Sequence, residues 1–190
     1  CDPFVQDCPA GQKCVALAID GSNTWNALKC VDIIGDGAPG EPCTAQDSAV
    51  SGVDDCALGA YCWDVDANLH GTCVAQCTGT PDAPLCPTDR LCSFMNDAIL
   101  ALCLPTCHPL LADCPDDEVC IPYHSGFLCA DAQGDQGQIN DPCEFANSCD
   151  KGLVCLETTT ASAACDQNMM GCCQPLCKFP DSPCPNPDQQ

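Results

Sequence analysis

Short apolar stretches recur along this chain, each broken by Asn, Asp, Ser or Gly before it reaches the length of a helix. In "VALAIDGSNTWNALK" the apolar run from Val15 stops at Asp20-Gly21, a pair favoured in tight turns, and resumes at Trp25. "WDVDANLHGT", "SFMNDAILAL" and "IPYHSGFL" follow the same plan. The pattern predicts a series of small two-stranded ribbons. The best helical stretch is "PLLADC", good for one or two turns, and 17 Pro with 14 Gly work against anything longer.

Cysteines bracket these ribbons at a fixed spacing. Cys-x5-Cys occurs as "CPAGQKC", "CALGAYC", "CPTDRLC", "CPDDEVC" and "CDKGLVC", each with one cysteine before it and another after a variable loop. The unit is a four-cysteine module: Cys1/8/14/30, Cys43/56/62/73, Cys77/86/92/103, Cys107/114/120/129 and Cys143/149/155/173. Residues 1–30, 43–73, 77–103, 107–129 and 143–173 are thus disulfide modules. The fifth carries the additional Cys165 and Cys172, and a truncated sixth, 177–190, holds Cys177 and Cys184. Three joints are tight, "CVAQC", "CLPTC" and "CQPLC"; two are long and rich in Gly and Asp, and read as linkers 31–42 and 130–142.

The order is three modules, a linker, then three again, so "CHPLLADCPDD" at Cys107 restarts "CDPFVQDCPA". The chain enters and leaves partway through a triplet, and is expected to be a piece of a longer protein or a processed product. Tight joints between crosslinked cysteines are expected to hold a fixed angle, with mobility gathered in the linkers.

Four cysteines allow three pairings. First-to-third with second-to-fourth is the expected one, because it ties the leading segment to both hairpin strands. That gives Cys1–Cys14, Cys8–Cys30, Cys43–Cys62, Cys56–Cys73, Cys77–Cys92, Cys86–Cys103, Cys107–Cys120, Cys114–Cys129, Cys143–Cys155 and Cys149–Cys173. Cys165 pairs locally with Cys172, closing "DQNMMG"; Cys177 and Cys184 are left over or pair with each other. The expected fold class is a small disulfide-rich repeat protein, built of tandem four-cysteine modules with a short β-hairpin in each and little helix.

Composition sets the compartment. With 24 Cys in 190 residues, an oxidising environment is implied, secreted or at a cell surface. Aromatics reach only 5%, so crosslinks replace much of the core a chain of this size would otherwise bury. The net charge of -22, from 27 acidic and 5 basic residues, argues against nucleic acid and anionic membranes as partners. No apolar run is long enough to insert this segment in a bilayer.

Candidate chemistry is sparse. Zinc or metallothionein-like sites use Cys-x2-Cys or Cys-x-Cys spacings, which are absent. "DVDANLHG" places Asp64, Asp66 and Asn68 at alternate positions, as in the first half of a calcium-binding EF-hand loop. Gly71 falls at the eighth position rather than the sixth and no acid follows at the twelfth, so only a looser calcium site, drawing also on Asp54 or Asp55, survives beside the plain reading as a polar hairpin tip.

His70, His108 and His124 lie in three different modules, and no nucleophile elbow, His/Asp arrangement or phosphate loop occurs. The expectation is no catalysis and no catalytic residues. Ile99, Leu100, Leu102 and Leu104 with Leu110 and Leu111 are expected to form a seam between modules, with a partner surface as the alternative. No Asn-x-Ser/Thr sequon is present.

The phrases "CDPFVQDCPAGQKCV", "WNALKCV", "GEPCTAQDSAVSGVDDCALGAYCWDVD" and "LALCLPTCHPLL" resemble a group of cysteine-rich secreted or cell-surface proteins of myxobacterial type, over nearly the whole chain. Members sometimes carry a ribulose-phosphate epimerase label. That enzyme is a metal-dependent β/α barrel, and neither its length, its strand–helix alternation nor its ligands can be found here. "SCDKGLVC" also resembles the Cys-x2-Gly-Leu-x-Cys element of colipase-like and dickkopf-like domains.

The functional expectation is an extracellular structural, adhesive or recognition array with a protein or cell-surface partner. The alternative is a protease inhibitor or protein ligand acting through one exposed, disulfide-constrained loop.

Overall fold

Every regular element of the computed structural model is a β-strand; it describes residues 1–111, 113–124, 126–161, 164–166 and 168–176, with no helix among them. The protein is a small disulfide-rich β repeat protein. The first module is the hairpin of β1 (Gln12–Leu17) and β2 (Ala27–Asp32). The second combines β3 (Pro42–Thr44), β4 (Ala60–Trp63) and β5 (His70–Ala75) in the order β3-β5-β4.

The third module has two hairpins, β6 (Thr78–Thr80) with β7 (Ala83–Leu85) and β8 (Arg90–Met95) with β9 (Leu100–Pro105). The fourth returns to one, β10 (Glu118–Tyr123) with β11 (Gly126–Asp131). The fifth repeats the second, with β12 (Pro142–Cys143), β13 (Leu153–Glu157) and β14 (Gly171–Pro175) in the order β12-β14-β13. The sixth module, 177–190, with Cys177 and Cys184, lies outside the described residues.

Three modules thus carry more sheet than a single ribbon. In module three the addition is the separate hairpin β6–β7; in modules two and five it is a strand at the first cysteine. In modules two and five the first cysteine is brought beside the hairpin by its bridge, and its backbone pairs there: Cys43 opposite Gly71, Cys143 opposite Gly171. In four hairpins the third and fourth cysteines face each other across the ladder, Cys14↔Cys30, Cys62↔Cys73, Cys120↔Cys129 and Cys155↔Cys173.

All five blocks close with two bridges, first to third and second to fourth. Cys165 bonds Cys172. Each ribbon, marginal alone in water, is tied strand by strand to its own leading segment. "PLLADC" forms a turn rather than a helix, with Leu111 N–H donating to the His108 carbonyl at 2.9 Å. Asp20-Gly21 sits inside a broad loop between Leu17 and Ala27 instead of forming a two-residue turn.

The long joints differ from their expected character as open linkers. Gly37 N–H donates to Asp55 O and Ala57 N–H to Gly37 O; Gly40 N–H reaches Cys73 O and Cys73 N–H reaches Glu41 O. The later joint repeats this with Gly137, Ser148, Asp150, Asn140, Cys173 and Asp141. Gly37 and Gly137 serve close approach, whereas Gly40 and Gly134 adopt positive φ in open space. A Cβ on Gly37 would lie 3.0 Å from the Cys73 sulfur, and one on Gly137 2.9 Å from that of Cys173. The chain separates into two compact units, the first Cys1–Leu104 and the second beginning at Pro105. The division falls inside the tight joint "CLPTC" and at neither long joint.

Within the first unit, three modules share one interior. Val15, Ala16, Tyr61, Leu100 and Leu102 are buried together, with Trp25, Trp63 and Ile99 packed against them. Phe4 fills a second cluster with Cys77, Cys92, Ala101 and Cys103. Leu100 and Leu102 therefore serve a seam, but toward modules one and two. Leu110 and Leu111, expected beside them, are 43% and 69% exposed. Among the described residues no helix is long and apolar enough to cross a membrane.

Candidate functional site

The hairpin tips are where side chains leave the crosslinked framework. At the module-two tip, between β4 and β5, Asp66 turns its carboxylate back on the chain. Its Oδ1 accepts from Asn68 N–H at 2.8 Å and His70 N–H at 2.9 Å, while Asn68 Nδ2 donates to Oδ2 at 3.4 Å. These donors, His70 foremost, hold the Asp66 carboxyl below its ordinary value. Asp64 adopts a positive φ of 52°. The structure thus brings Asp66 and Asn68 together as a turn in which both Asp66 oxygens accept protein donors.

The same turn recurs a hundred residues later. Asp166 Oδ1 accepts from Asn168 N–H at 2.9 Å and from Asn168 Nδ2 at 2.8 Å, and these bonds lower its carboxyl in turn. Leu69 and His70 correspond to Met169 and Met170, and Thr72 to Cys172. Gly71 and Gly171 correspond as well, and for the same reason. A Cβ would fall 2.4 Å from Trp63 O at the first and 2.9 Å from the Cys155 sulfur at the second. What differs is the cystine Cys165–Cys172 and the exposure beside it, 44% for Met169, 72% for Met170 and 47% for nearby Phe145.

One polar constellation is fully buried. Lys13 reaches from β1 into module two, where its ammonium donates to Asp54 Oδ1 at 2.5 Å, Cys56 O at 2.9 Å and Ala60 O at 3.1 Å. Asp54 also accepts from Cys56 N–H at 2.9 Å and Cys62 N–H at 3.1 Å. Both side chains are essentially inaccessible, 0% and 2%. All three ammonium protons are used and both carboxylate oxygens are bonded, the condition under which a buried pair survives its desolvation.

Gln6 and Gln76 add a second polar bracket beside it, bonded to each other at 2.8 Å and both to the Cys14 carbonyl. Trp25 Nε1 donates to the Tyr61 hydroxyl at 2.7 Å, and the indoles of Trp25 and Trp63 stack at 5.8 Å. Burial pushes the Tyr61 hydroxyl's pKa well up, with Asp54 adding in the same direction against the Trp25 bond. These groups hold modules together; none is presented to solvent as a reactive set. Asp54, read from the sequence as a further oxygen for calcium, is instead spent on Lys13, a partner not foreseen there. The available signal was the residue before each third cysteine: Tyr61, Leu91, Val119 and Val154 elsewhere, but Lys13 in module one.

The histidines stay apart, His70 3.4 Å from Thr44 Oγ1, His108 accepting from Leu110 N–H, and His124 edge-on to Tyr123. Clustered sulfurs such as Cys43, Cys56 and Cys73 beside Asp55 are cystines, not open thiolates. A shallow depression of about 410 Å³ on the second unit is lined by Gln138, Ile139, Asp150, Lys151 and Leu153. The Lys151 ammonium at its edge is already engaged by the carbonyls of Cys114 and Pro115. No known protein family, curated protein or solved structure matches this chain.

Proposed function

We propose that this chain is an extracellular array of disulfide-stapled modules acting as a structural, adhesive or recognition element, without catalysis, in the manner of the myxobacterial cysteine-rich surface proteins it resembles. The observation that carries the reading is the division of labour between interior and tips. Chemically capable groups such as Lys13 and Asp54 are spent inside the seam, and crosslinked frameworks carry the loops between their hairpin strands. A loop held in one conformation binds a partner with less ordering cost than a free one. The many cystines suit an oxidising, extracellular setting.

The runner-up, an inhibitor or protein ligand working through one loop, is favoured by the added cystine at the module-five tip. Incubating the oxidised full chain with a panel of serine, cysteine and metalloproteases separates the two. The array reading expects no inhibition. Stoichiometric inhibition of one protease, abolished by substitutions in a single tip, would replace it with the inhibitor reading.

A further inference from the structure

Module five is the one of the five described blocks with a third crosslink, whose sulfurs both lie against the buried Gln174 amide. Cys143–Cys155 and Cys149–Cys173 already close the module as two bridges close the other four. Cys165–Cys172 closes a separate loop, with a sequence separation of 7, over the segment carrying Met169 and Met170. Three features fix that segment. Asp166 makes the turn, Thr158 Oγ1 donates to the Met169 carbonyl at 3.3 Å, and Gly171 sits in the centre strand opposite both Cys143 and Glu157.

The ladder register therefore sends Glu144–Phe145, Glu157–Thr158 and Met169–Met170 out of the same end of the sheet. That end combines three large apolar side chains, 44–72% exposed, with the carboxylates of Glu144, Glu157 and Asp166. Its surroundings hold little positive charge. Lys151 is the single Lys or Arg between Pro105 and Leu176, and it is tied to module four.

We propose that this tip docks a basic, apolar-faced polypeptide segment, with Phe145, Met169 and Met170 receiving its apolar side chains and Glu144, Glu157 and Asp166 receiving its Lys or Arg. The proposal rests on the recognition reading above and names the partner's chemistry. Charge complementarity chooses the occupant: an anionic surface or a second copy of this chain would bring negative charge against negative charge. Methionine suits the role because its flexible, polarisable side chain adapts to differently shaped apolar groups. The cystine supplies what methionine lacks, a backbone already in place before binding.

The test uses the full oxidised chain labelled at its methionine methyl groups, titrated with an amphipathic Lys/Leu peptide and with a Lys/Ser peptide of equal charge. Met95 lies in the first unit, packed against a buried cluster, and serves as the internal reference. The Met169 and Met170 resonances should shift with the Lys/Leu peptide while Met95 stays still. The double substitution Met169→Ser/Met170→Ser should weaken binding by roughly ten-fold, and Leu58→Ser, at an exposed apolar position of the first unit, should leave it unchanged. Equal binding of both peptides, or affinity indifferent to the methionine substitutions, would mean diffuse attraction to a -22 chain and overturn the docking proposal. Neither result bears on the protease panel, so the array reading stands or falls separately.

Discussion

Modules two and five are the same object built twice, and they part company at opposite ends. Both pair three strands in one order, both place a glycine opposite the first cysteine, and both turn the hairpin on an Asp-x-Asn segment. At the base, module two accepts the buried Lys13 on Asp54. Module five has Asn147 at the position of Asp54, and module four has Val119 at that of Lys13. The charge is missing from both sides together. Asn147 instead donates Nδ2 to the Asp131 carbonyl at 2.7 Å. At the tip the contrast reverses: module two ends in a self-satisfied polar turn, module five in a crosslinked apolar one. The framework, specified by cysteines and close-approach glycines, leaves base and tip free to vary.

The largest effect should come from breaking the buried pair. Asp54→Ala leaves the buried Lys13 ammonium with two carbonyl acceptors but no counter-charge and is expected to cost about 3–5 kcal/mol in the first unit. Asn147→Ala, which removes one neutral hydrogen bond, should cost about 1 kcal/mol in the second. Urea unfolding followed by a probe in each unit would measure both. The paired replacement Lys13→Met/Asp54→Leu, imitating the apolar alternative, should recover most of the Asp54→Ala loss. Failure to recover would mean that the pair contributes more than its own satisfaction.

Removing the added cystine comes next. Cys165→Ser/Cys172→Ser opens a loop of separation 7, and chain entropy alone puts the cost near ~2 kcal/mol. Amide exchange should quicken at Met169 and Met170 and remain unchanged at Leu69 and His70. The smallest effect concerns acid. Folding lowers the carboxyls of Asp66 and Asp166, so their turns are intact above the ordinary value of 3.8 and are lost as the pH falls through the lower folded values. The amide resonances of Asn68 and Asn168 should both report midpoints below 3.8; a midpoint at or above it in either would remove that turn from the shared design.

Much of the framework was readable because cysteine is both frequent and evenly spaced. Cys-x5-Cys marked the hairpins, and Asp, Asn and Gly marked their interruptions. The added strands were not readable, since β3 and β12 are three and two residues long and reach the hairpin through bridges to β4 and β13 while their backbones pair with β5 and β14. Gly35, Gly37 and Gly40 read as mobile linker. Composition cannot distinguish a glycine that moves from one that passes a cystine, as Gly37 does, or a backbone, as Gly35 does at Asp55. Asp64, Asp66 and Asn68 matched half of a metal loop by spacing, a pattern an Asp-x-Asn turn produces for its own backbone reasons. Lys13 was missed for a different cause: its place before a third cysteine, where other modules have Tyr61, Leu91, Val119 and Val154, marks an inward position, but its partner lies 41 residues away and no local pattern joins the two.

The central claim, that the five described modules each close separately on two bridges, with one added staple at the fifth tip, is tested most directly by mass-spectrometric mapping of non-reduced peptides. The expected peptides join Cys43 to Cys62, Cys56 to Cys73, Cys143 to Cys155, Cys149 to Cys173 and Cys165 to Cys172. Backbone fragmentation between Cys172 and Cys173 would separate the last two. Bridges joining one module to another, or Cys165 linked to Cys173 in place of Cys172, would contradict it.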